Sequence, residues 1–137
     1  MDELCKAKVV HPNREYPERD LTEKIIARAI VVHRTLGPGF LEAIYENALS
    51  HELRKSGLGV ERQKVVRIMY DGIDVGEHRA DLLVEGKVVV ELKSVDAISS
   101  KHVAQTISTL KALGVKVGLL INFDEARLVD GVKRVVL

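Results

Sequence analysis

The sequence predicts one α/β domain with a mixed β-sheet flanked by helices, in the order ααβββαβ with a short terminal β-hairpin. Two helical repeats of apolar residues occupy residues 21–56, the apolar period changes to that of strands after Val60, and a further helical repeat precedes the last apolar run. The chain has 137 residues, of which 46% are apolar and 30% charged. These values favour one folded domain and exclude both a disordered chain and a multidomain protein.

The first half of the sequence predicts an N-terminal arm followed by two helices. Residues 1–20 show no sustained periodicity, so we expect an extended arm there and the folded domain over residues 21–137. Asp20 and Glu23 resemble a capping box at the start of the first helix. Gly37-Pro38-Gly39 ends that helix, and Phe40, Ile44, Ala48 and Leu53 mark the apolar side of a second helix that stops at Ser56-Gly57.

The second half predicts two hairpins and a crossover. Asp71-Gly72 is a strong two-residue turn signal, and Glu85-Gly86 separates a second pair of strands, of which the later is nearly all apolar, as in a central strand. Ser99 or Ser100 caps a third helix that ends at Gly114. The apolar run over residues 115–123 then returns beside the central strand through a right-handed crossover, and Asp130-Gly131 turns a short terminal hairpin.

Polar residues interrupt the apolar strands in one place. Glu91 and Lys93 share a face of the central strand, and Asp81 lies within an apolar segment of the neighbouring strand. An ion pair between Glu91 and Lys93 near solvent is a purely structural explanation of the first two residues. The third polar residue favours a site in which two carboxylates and an amine converge.

The loop between these strands decides whether the two carboxylates can meet. A two-residue turn at Glu85-Gly86 places Asp81 and Glu91 on opposite faces, whereas a three-residue loop that includes Lys87 pairs them directly. A bulge or bend near Asp81 would also bring them together. Two adjacent carboxylates with open coordination positions suit Mg²⁺.

These residues carry a resemblance to a known family. Asp81 followed by Glu91-Leu92-Lys93 resembles the Asp…(Asp/Glu)-x-Lys signature of the PD-(D/E)XK nuclease superfamily. The segment Gly39-Phe40-Leu41-Glu42-Ala43-Ile44-Tyr45 resembles the motif that names the GxxExxY proteins, a small family within that superfamily. Gln105, Arg79-Ala80-Asp81-Leu82-Leu83-Val84 and Leu119-Leu120-Ile121-Asn122-Phe123 follow the same family in the same order.

The resemblance implies a restriction-endonuclease-like core and a metal-dependent nuclease. Asp81, Glu91 and the backbone carbonyl of Leu92 would hold Mg²⁺, for which Mn²⁺ can substitute. Lys93 would orient the attacking water and offset the charge that develops on the phosphate. The implied reaction is hydrolysis of phosphodiester bonds in DNA, or in RNA, by a Mg²⁺-activated water.

The resemblance extends the site to three further residues. Glu42 would approach the metal and its water from the second helix, Gln105 would position Lys93 or a phosphate, and Tyr45 would have a supporting role. Each has a structural alternative, since Glu42 can interact with the helix dipole, Tyr45 can belong to the core and Gln105 to a solvated helix face. Thr109 stands where the family pattern has a tyrosine.

Other signals limit the remaining function classes. The net charge of +1 predicts no particular partner, and Cys5 alone cannot form an internal disulfide. No segment is typical of a membrane span, a P-loop or a zinc site, so we expect a cytoplasmic protein. The expected partner is nucleic acid, first of all DNA, which basic residues including Lys24, Arg28, Lys101 and Lys111 could contact, and a homodimer is compatible with an exposed edge strand. The alternative is a non-catalytic module that binds nucleic acid or protein and retains the nuclease fold.

Overall fold

The computed structural model describes residues 7–137, within which six strands form one mixed sheet with helices on both faces. Cys5 and the start of the expected N-terminal arm lie outside these residues. The elements in chain order are β1 (Lys8–Val10), α1 (Arg19–Leu36), α2 (Glu42–Lys55), β2 (Val60–Tyr70), β3 (Ile73–Val84), β4 (Val88–Lys93), α3 (Ser100–Leu113), β5 (Val117–Asn122), a 3₁₀ turn (Leu128–Gly131) and β6 (Val132–Val136).

The sheet has the strand order β1-β6-β5-β4-β3-β2. β4 and β5 run parallel and are joined through α3, whereas the other neighbouring strands run antiparallel. This arrangement confirms the predicted α/β fold with its mixed sheet and is consistent with a restriction-endonuclease-like core. No helix within residues 7–137 has the length and apolar character required to cross a membrane.

Two apolar layers hold the helices against the sheet. On one face, α1 and α2 pack against alternate residues of β3, β4 and β5, with Tyr45, Leu49 and Phe123 fully buried. On the other face, Ile107 and Leu110 of α3 pack against the remaining set. The alternation along β4 therefore points Val88, Val90 and Leu92 towards α1 and α2, and Val89 and Glu91 towards α3.

The β2–β3 hairpin extends well beyond the rest of the sheet. Its turn is the predicted Asp71-Gly72, and both residues have positive φ values, 53° and 76°, as a two-residue hairpin turn requires. β3 pairs with β4 only through Leu82, Leu83 and Val84. We call the part that is paired only within the hairpin, residues 65–79, the hairpin arm.

Two predicted details of the helices are wrong. Helix α1 begins at Arg19 after a left-handed Glu18, and no side chain caps it, because Asp20 lies inside the helix and not at the cap position. Phe40 lies before α2, which begins at Glu42, and both Phe40 and Ile44 are exposed. The buried side of α2 is instead formed by Tyr45, Glu46, Leu49, Ser50 and Leu53, a set whose two polar members obscure the apolar period.

The termini add strands that the sequence pattern shows weakly. Lys8–Val10, within the expected arm, forms β1 and pairs with β6. β6 pairs antiparallel with β5, and Asp130 and Gly131 lie in the 3₁₀ turn that precedes it. Both ends of the described chain are thus attached to the same edge of the sheet.

Candidate active site

The register between β3 and β4 brings Asp81 opposite Glu91. Val84 pairs with Val88 and Leu82 with Val90, so the loop contains three residues, Glu85-Gly86-Lys87, and not two. Glu85 and Gly86 both have positive φ values. Of the two loop lengths open from the sequence, the observed one is the longer, which allows the two carboxylates to meet.

Asp81 occupies the point where β3 separates from β4. Its Oδ2 accepts a hydrogen bond of 2.8 Å from the backbone N–H of Leu92, where the next strand residue would otherwise pair. The N–H and C=O of one strand residue point to the same side, and the carbonyl of Lys93 already accepts from Phe123 on the β5 side. The Leu92 carbonyl therefore faces β3 and the opening beside Asp81.

Glu91 is a buried carboxylate without enough partners. Its side chain is 8% exposed, and Oε1 has no hydrogen-bond partner within the described residues. Burial, followed by the negative charge of Asp81, raises the pKa of Glu91 to about 8, against the opposing effect of Lys93. The pKa of Asp81 is also raised, chiefly by burial, although the Leu92 N–H opposes that shift.

This pair of carboxylates fits a divalent cation. Two adjacent oxygen donors disfavour their own ionisation, and the free Oε1 of Glu91 provides a ligand atom that nothing else satisfies. Across residues 7–137, no three His, Cys, Asp or Glu side chains are arranged to hold a metal ion. The donors are thus two carboxylates and a carbonyl, an incomplete oxygen set of the kind that suits Mg²⁺, which retains waters and binds phosphate.

A narrow cleft on the α3 side leads to Glu91, and Asp81 is not among the residues that line it. Glu91, Lys93 and Gln105 line it, and its volume is about 30 Å³, sufficient for roughly one or two waters. His78 of the hairpin arm and His102 of α3 form further parts of its wall. The structure therefore brings together three residues that the resemblance implies, along with two histidines that had no assigned role.

His102 also fixes the start of α3. Its Nδ1 accepts a hydrogen bond from the backbone N–H of Ser99, while the Ser99 hydroxyl accepts from the backbone N–H of His102. This reciprocal pair confirms Ser99 as the cap. Gln105 follows His102 by one helical turn, so the cap sets the position of both side chains at the cleft.

Glu46 of α2 approaches Asp81 from the face of the sheet opposite to the cleft. Glu46 is 8% exposed, and its carboxylate accepts hydrogen bonds from Arg62 and from the Gln63 amide. The same Gln63 nitrogen lies 3.4 Å from Oδ1 of Asp81, and the charge of Glu46 contributes to the raised pKa of Asp81. Glu46 thus adjoins the candidate site, and the sequence analysis did not single it out.

Glu42 lies one turn earlier on the same helix and is exposed. No hydrogen bond or salt bridge within the described chain joins it to Asp81, Glu91 or Lys93. A signal for Glu46 does exist in the sequence. Glu46 adjoins Tyr45 and precedes Leu49 and Leu53. A helix that buries these three apolar residues also places the charged Glu46 on its buried side.

Tyr45 supports the site by fixing the corner between α1 and α2. Its ring stacks on Phe123 with 4.5 Å between centroids, and its hydroxyl donates to Gly37 O at 2.6 Å and accepts from the N–H of Phe40 at 3.1 Å. Ser94, next to Lys93, donates to the Phe40 carbonyl. Tyr45 thereby links the start of α2 to the end of β4.

Asn122 fixes the backbone that follows Lys93. Its side chain is fully buried, accepts from the N–H groups of Val95 and Asp124, and donates to the carbonyl of Val95. Thr109 is also buried and donates to the Gln105 carbonyl. These hydrogen bonds hold the two sides of the cleft in place. Neither Asn122 nor Thr109 is assigned a chemical role.

Comparison with known proteins gives one match. A family model of the PD-(D/E)XK nuclease superfamily matches residues 19–135. Neither the curated proteins nor the solved structures gave a match. The matched stretch contains the three helices, strands β2 to β5 and every residue of the site.

Proposed function

The chain belongs to the PD-(D/E)XK nuclease superfamily, and from this premise we propose that it is a metal-dependent nuclease that hydrolyses phosphodiester bonds. The observation that carries the proposal is the direct juxtaposition of Asp81 and Glu91, with a buried Glu91 oxygen that lacks a partner. A purely structural pair of Glu91 and Lys93 would not require a second buried carboxylate beside it.

We assign the metal to Asp81, Glu91 and the Leu92 carbonyl, with Mg²⁺ as the ion and Mn²⁺ as its substitute. When bound, the ion would act as a Lewis acid that lowers the pKa of water and neutralises phosphate charge. The chain contributes the rigid arrangement of the donors, because Asp81 is held by the Leu92 N–H and Glu91 by the central strand.

The remaining residues act on the water and the phosphate. Lys93 presents an ammonium group to the cleft, where it would orient the attacking water and stabilise the negative charge of the transition state. The amide of Gln105, on the opposite wall, would donate to a phosphate oxygen or position Lys93. For the carboxylate on α2, the resemblance implies Glu42, whereas the observed contacts favour Glu46. We propose Glu46 for this role and compare the two below.

The proposed substrate is DNA, with RNA as the second candidate. Superfamily membership supports a nucleic-acid substrate, and both nucleic acids present the phosphodiester that the cleft would bind. The proposed assembly is a homodimer, since β2 is an edge strand of the sheet.

The test compares cleavage and metal binding in matched variants. With Mg²⁺ or Mn²⁺ and labelled single-stranded and duplex DNA and RNA, we expect Asp81→Asn to weaken metal binding and to abolish cleavage. We expect Lys93→Ala to retain metal but to slow cleavage by about 10²-fold or more, since it removes one stabilising contact to the transition state. Asp130→Asn and Lys8→Ala alter exposed residues away from the cleft and serve as controls.

Two results would contradict the proposal. If Asp81→Asn and Lys93→Ala cut nucleic acid as the parent does, the site is wrongly assigned. If the parent binds Mn²⁺ and nucleic acid but cuts none of the four substrates, the protein is the non-catalytic binding module.

A further inference from the structure

A second groove continues from the cleft along the same face of the sheet. It is lined by Arg67, Ile68 and Met69 of the hairpin arm and by Ser108, Lys111 and Ala112 of α3, and its volume is about 550 Å³. That volume falls in the range of about 300–1,000 Å³ typical of small-molecule sites. The groove can therefore take a chain segment of one or two nucleotides, but it is too small to enclose a duplex.

The two openings share both walls. On α3, Gln105 lines the cleft and Ser108, three residues later on the same side of the helix, lines the groove. On the hairpin arm, His78 lines the cleft, and Ile68 of the groove pairs with Gly76, two residues from His78. A ligand that lies in the groove is thereby directed towards Glu91 and Lys93.

The charge on the two walls differs. Helix α3 contains no acidic residue, and its exposed Lys101 and Lys111 form no salt bridge within residues 7–137. On the hairpin arm, Arg67 is balanced by Asp74 and Glu77, each at 3.6 Å. The unpaired positive charge of the groove therefore lies on its α3 side, and Lys93 adds a further positive charge in the cleft.

The hairpin-arm wall is apolar. Ile68 and Met69 are 38% and 58% exposed, and Tyr70 beyond them is 73% exposed. A ligand that matches both walls carries negative charge along one edge and flat apolar groups along the other. Single-stranded nucleic acid has this character, because its bases are free to contact apolar side chains, whereas a duplex keeps its bases stacked inside.

We propose that the groove between the hairpin arm and α3 binds a single-stranded segment of nucleic acid and leads its backbone into the cleft. Lys111 contacts a phosphate, and Ile68 and Met69, which line the groove, contact the bases with little sequence preference. The proposal rests on the proposed function, since the phosphodiester that enters the cleft is the bond to be cut.

The test measures binding without cleavage. Fluorescence anisotropy with a labelled oligothymidine of 15 nucleotides and a mixed-sequence duplex of the same length is recorded in EDTA at several salt concentrations. We expect the parent to prefer the single strand. We expect Lys111→Glu to weaken single-strand binding by at least tenfold at low salt and to reduce the slope of log K against log salt by about 0.7, the value for one phosphate contact.

Two further variants separate the walls. Met69→Ser should weaken binding by about fivefold or more without changing the salt slope, because it removes an apolar contact and no charge. Lys8→Glu makes the same charge reversal as Lys111→Glu on β1, at the edge of the sheet opposite to the hairpin arm, and should have a much smaller effect.

The outcomes distinguish this proposal from the nuclease assignment. Equal effects of Lys111→Glu and Lys8→Glu, or a preference for the duplex, would overturn the groove and leave the nuclease assignment intact. A change of molecular mass in Met69→Ser with unchanged binding would show that the hairpin arm contacts a second copy of the chain instead. Loss of binding in Lys111→Glu, with a parent that cuts no substrate in any metal, would support the groove and refute the nuclease.

Discussion

At the scale of single residues, the candidate site lowers the stability of the folded protein when no metal is bound. Glu91 and Asp81 place two carboxylates side by side in surroundings that raise the pKa of both groups. Burying charge without a full set of partners is unfavourable, and a cation that binds the folded state compensates for it. This unfavourable burial makes the stability of the metal-free protein depend on pH.

We expect the stability of the metal-free protein to fall as the pH rises from about 5 to about 8. The pKa of Glu91 is about 8 in the folded protein and 4.5 as its ordinary value. The folded state therefore binds the Glu91 proton more tightly than the unfolded state does. The stability that this difference contributes is fully present below pH 4.5 and is lost as Glu91 ionises. In EDTA the melting temperature should drop by at least about 4 °C between pH 5.5 and 8.5, equivalent to roughly 1 kcal/mol.

The matched control for this experiment is Glu91→Gln. The amide cannot ionise, so the drop should be clearly smaller, and Mn²⁺ at pH 8 should raise the melting temperature of the parent more than that of the variant. An equal drop in both proteins, or a melting temperature that rises with pH, would contradict the account of Glu91.

The two glutamates of α2 should differ in their effect on the metal. Glu46 is connected to Asp81 through the Gln63 amide, whereas Glu42 is exposed. Residues that orient a metal ligand typically contribute about 10- to 100-fold in affinity. We expect Glu46→Gln to weaken Mn²⁺ binding by tenfold or more in calorimetric titration and Glu42→Gln to change it by less than twofold. The reverse order would assign the role to Glu42, as the resemblance implies.

The sequence indicated the polar residues that meet at the candidate site better than it indicated their surroundings. Asp81, Glu91 and Lys93 stand out because polar residues are rare in apolar strands, and such a contrast needs no knowledge of the fold. Glu46 and Gln63 do not stand out in this way. Glu46 lies within a helix whose apolar pattern is irregular, and Gln63 reaches Asp81 from a position in β2 where its own φ is 51°.

At the scale of elements, short connections determine where the site residues meet. The three-residue loop over residues 85–87 sets the register of β3 on β4, and one residue fewer would turn Glu91 away from Asp81. The Gly37-Pro38-Gly39 corner sets the direction of α2. That corner is held by the Tyr45 hydroxyl, which contacts two backbone groups.

We expect Tyr45→Phe to destabilise the protein by about 1–2 kcal/mol, because it leaves a carbonyl and an N–H without their hydrogen-bond partner and retains the stacking on Phe123. Urea unfolding should show a lower midpoint with an unchanged m-value. Tyr70→Phe, at the exposed end of the hairpin arm, removes the same hydroxyl from an open position and should leave the midpoint unchanged. Equal midpoints for Tyr45→Phe and the parent would show that the corner does not depend on this hydroxyl.

The elements themselves were predictable where local chemistry determines them. Asp71-Gly72, Ser99 and Gly114 act through their own backbone conformation or hydrogen bonds, and each is observed in its expected role. Two features were not predicted. Residues 8–10 form a strand through their pairing with β6, and Asp20 does not cap α1 because the helix begins at Arg19 and includes it.

At the scale of the whole molecule, the site lies between the two helical layers. Asp81 is approached from the α2 side by Glu46, whereas Glu91, Lys93 and Gln105 open towards α3. The separation of β3 from β4 joins the two sides and also begins the hairpin arm. One irregularity in the sheet therefore creates both the proposed metal site and one wall of the groove beside it.

The most direct test of the central claim is a crystal structure of the protein with Mn²⁺, measured at an X-ray energy that reveals the ion by its anomalous signal. We expect one strong peak between the carboxylates of Asp81 and Glu91, within about 2.3 Å of an oxygen from each and close to the Leu92 carbonyl. The same crystals of Asp81→Asn should lose most of that peak. If millimolar Mn²⁺ leaves this position empty, or if Asp81 and Glu91 bind the ion at separate places, the two carboxylates do not form a metal site and the proposed chemistry is refuted.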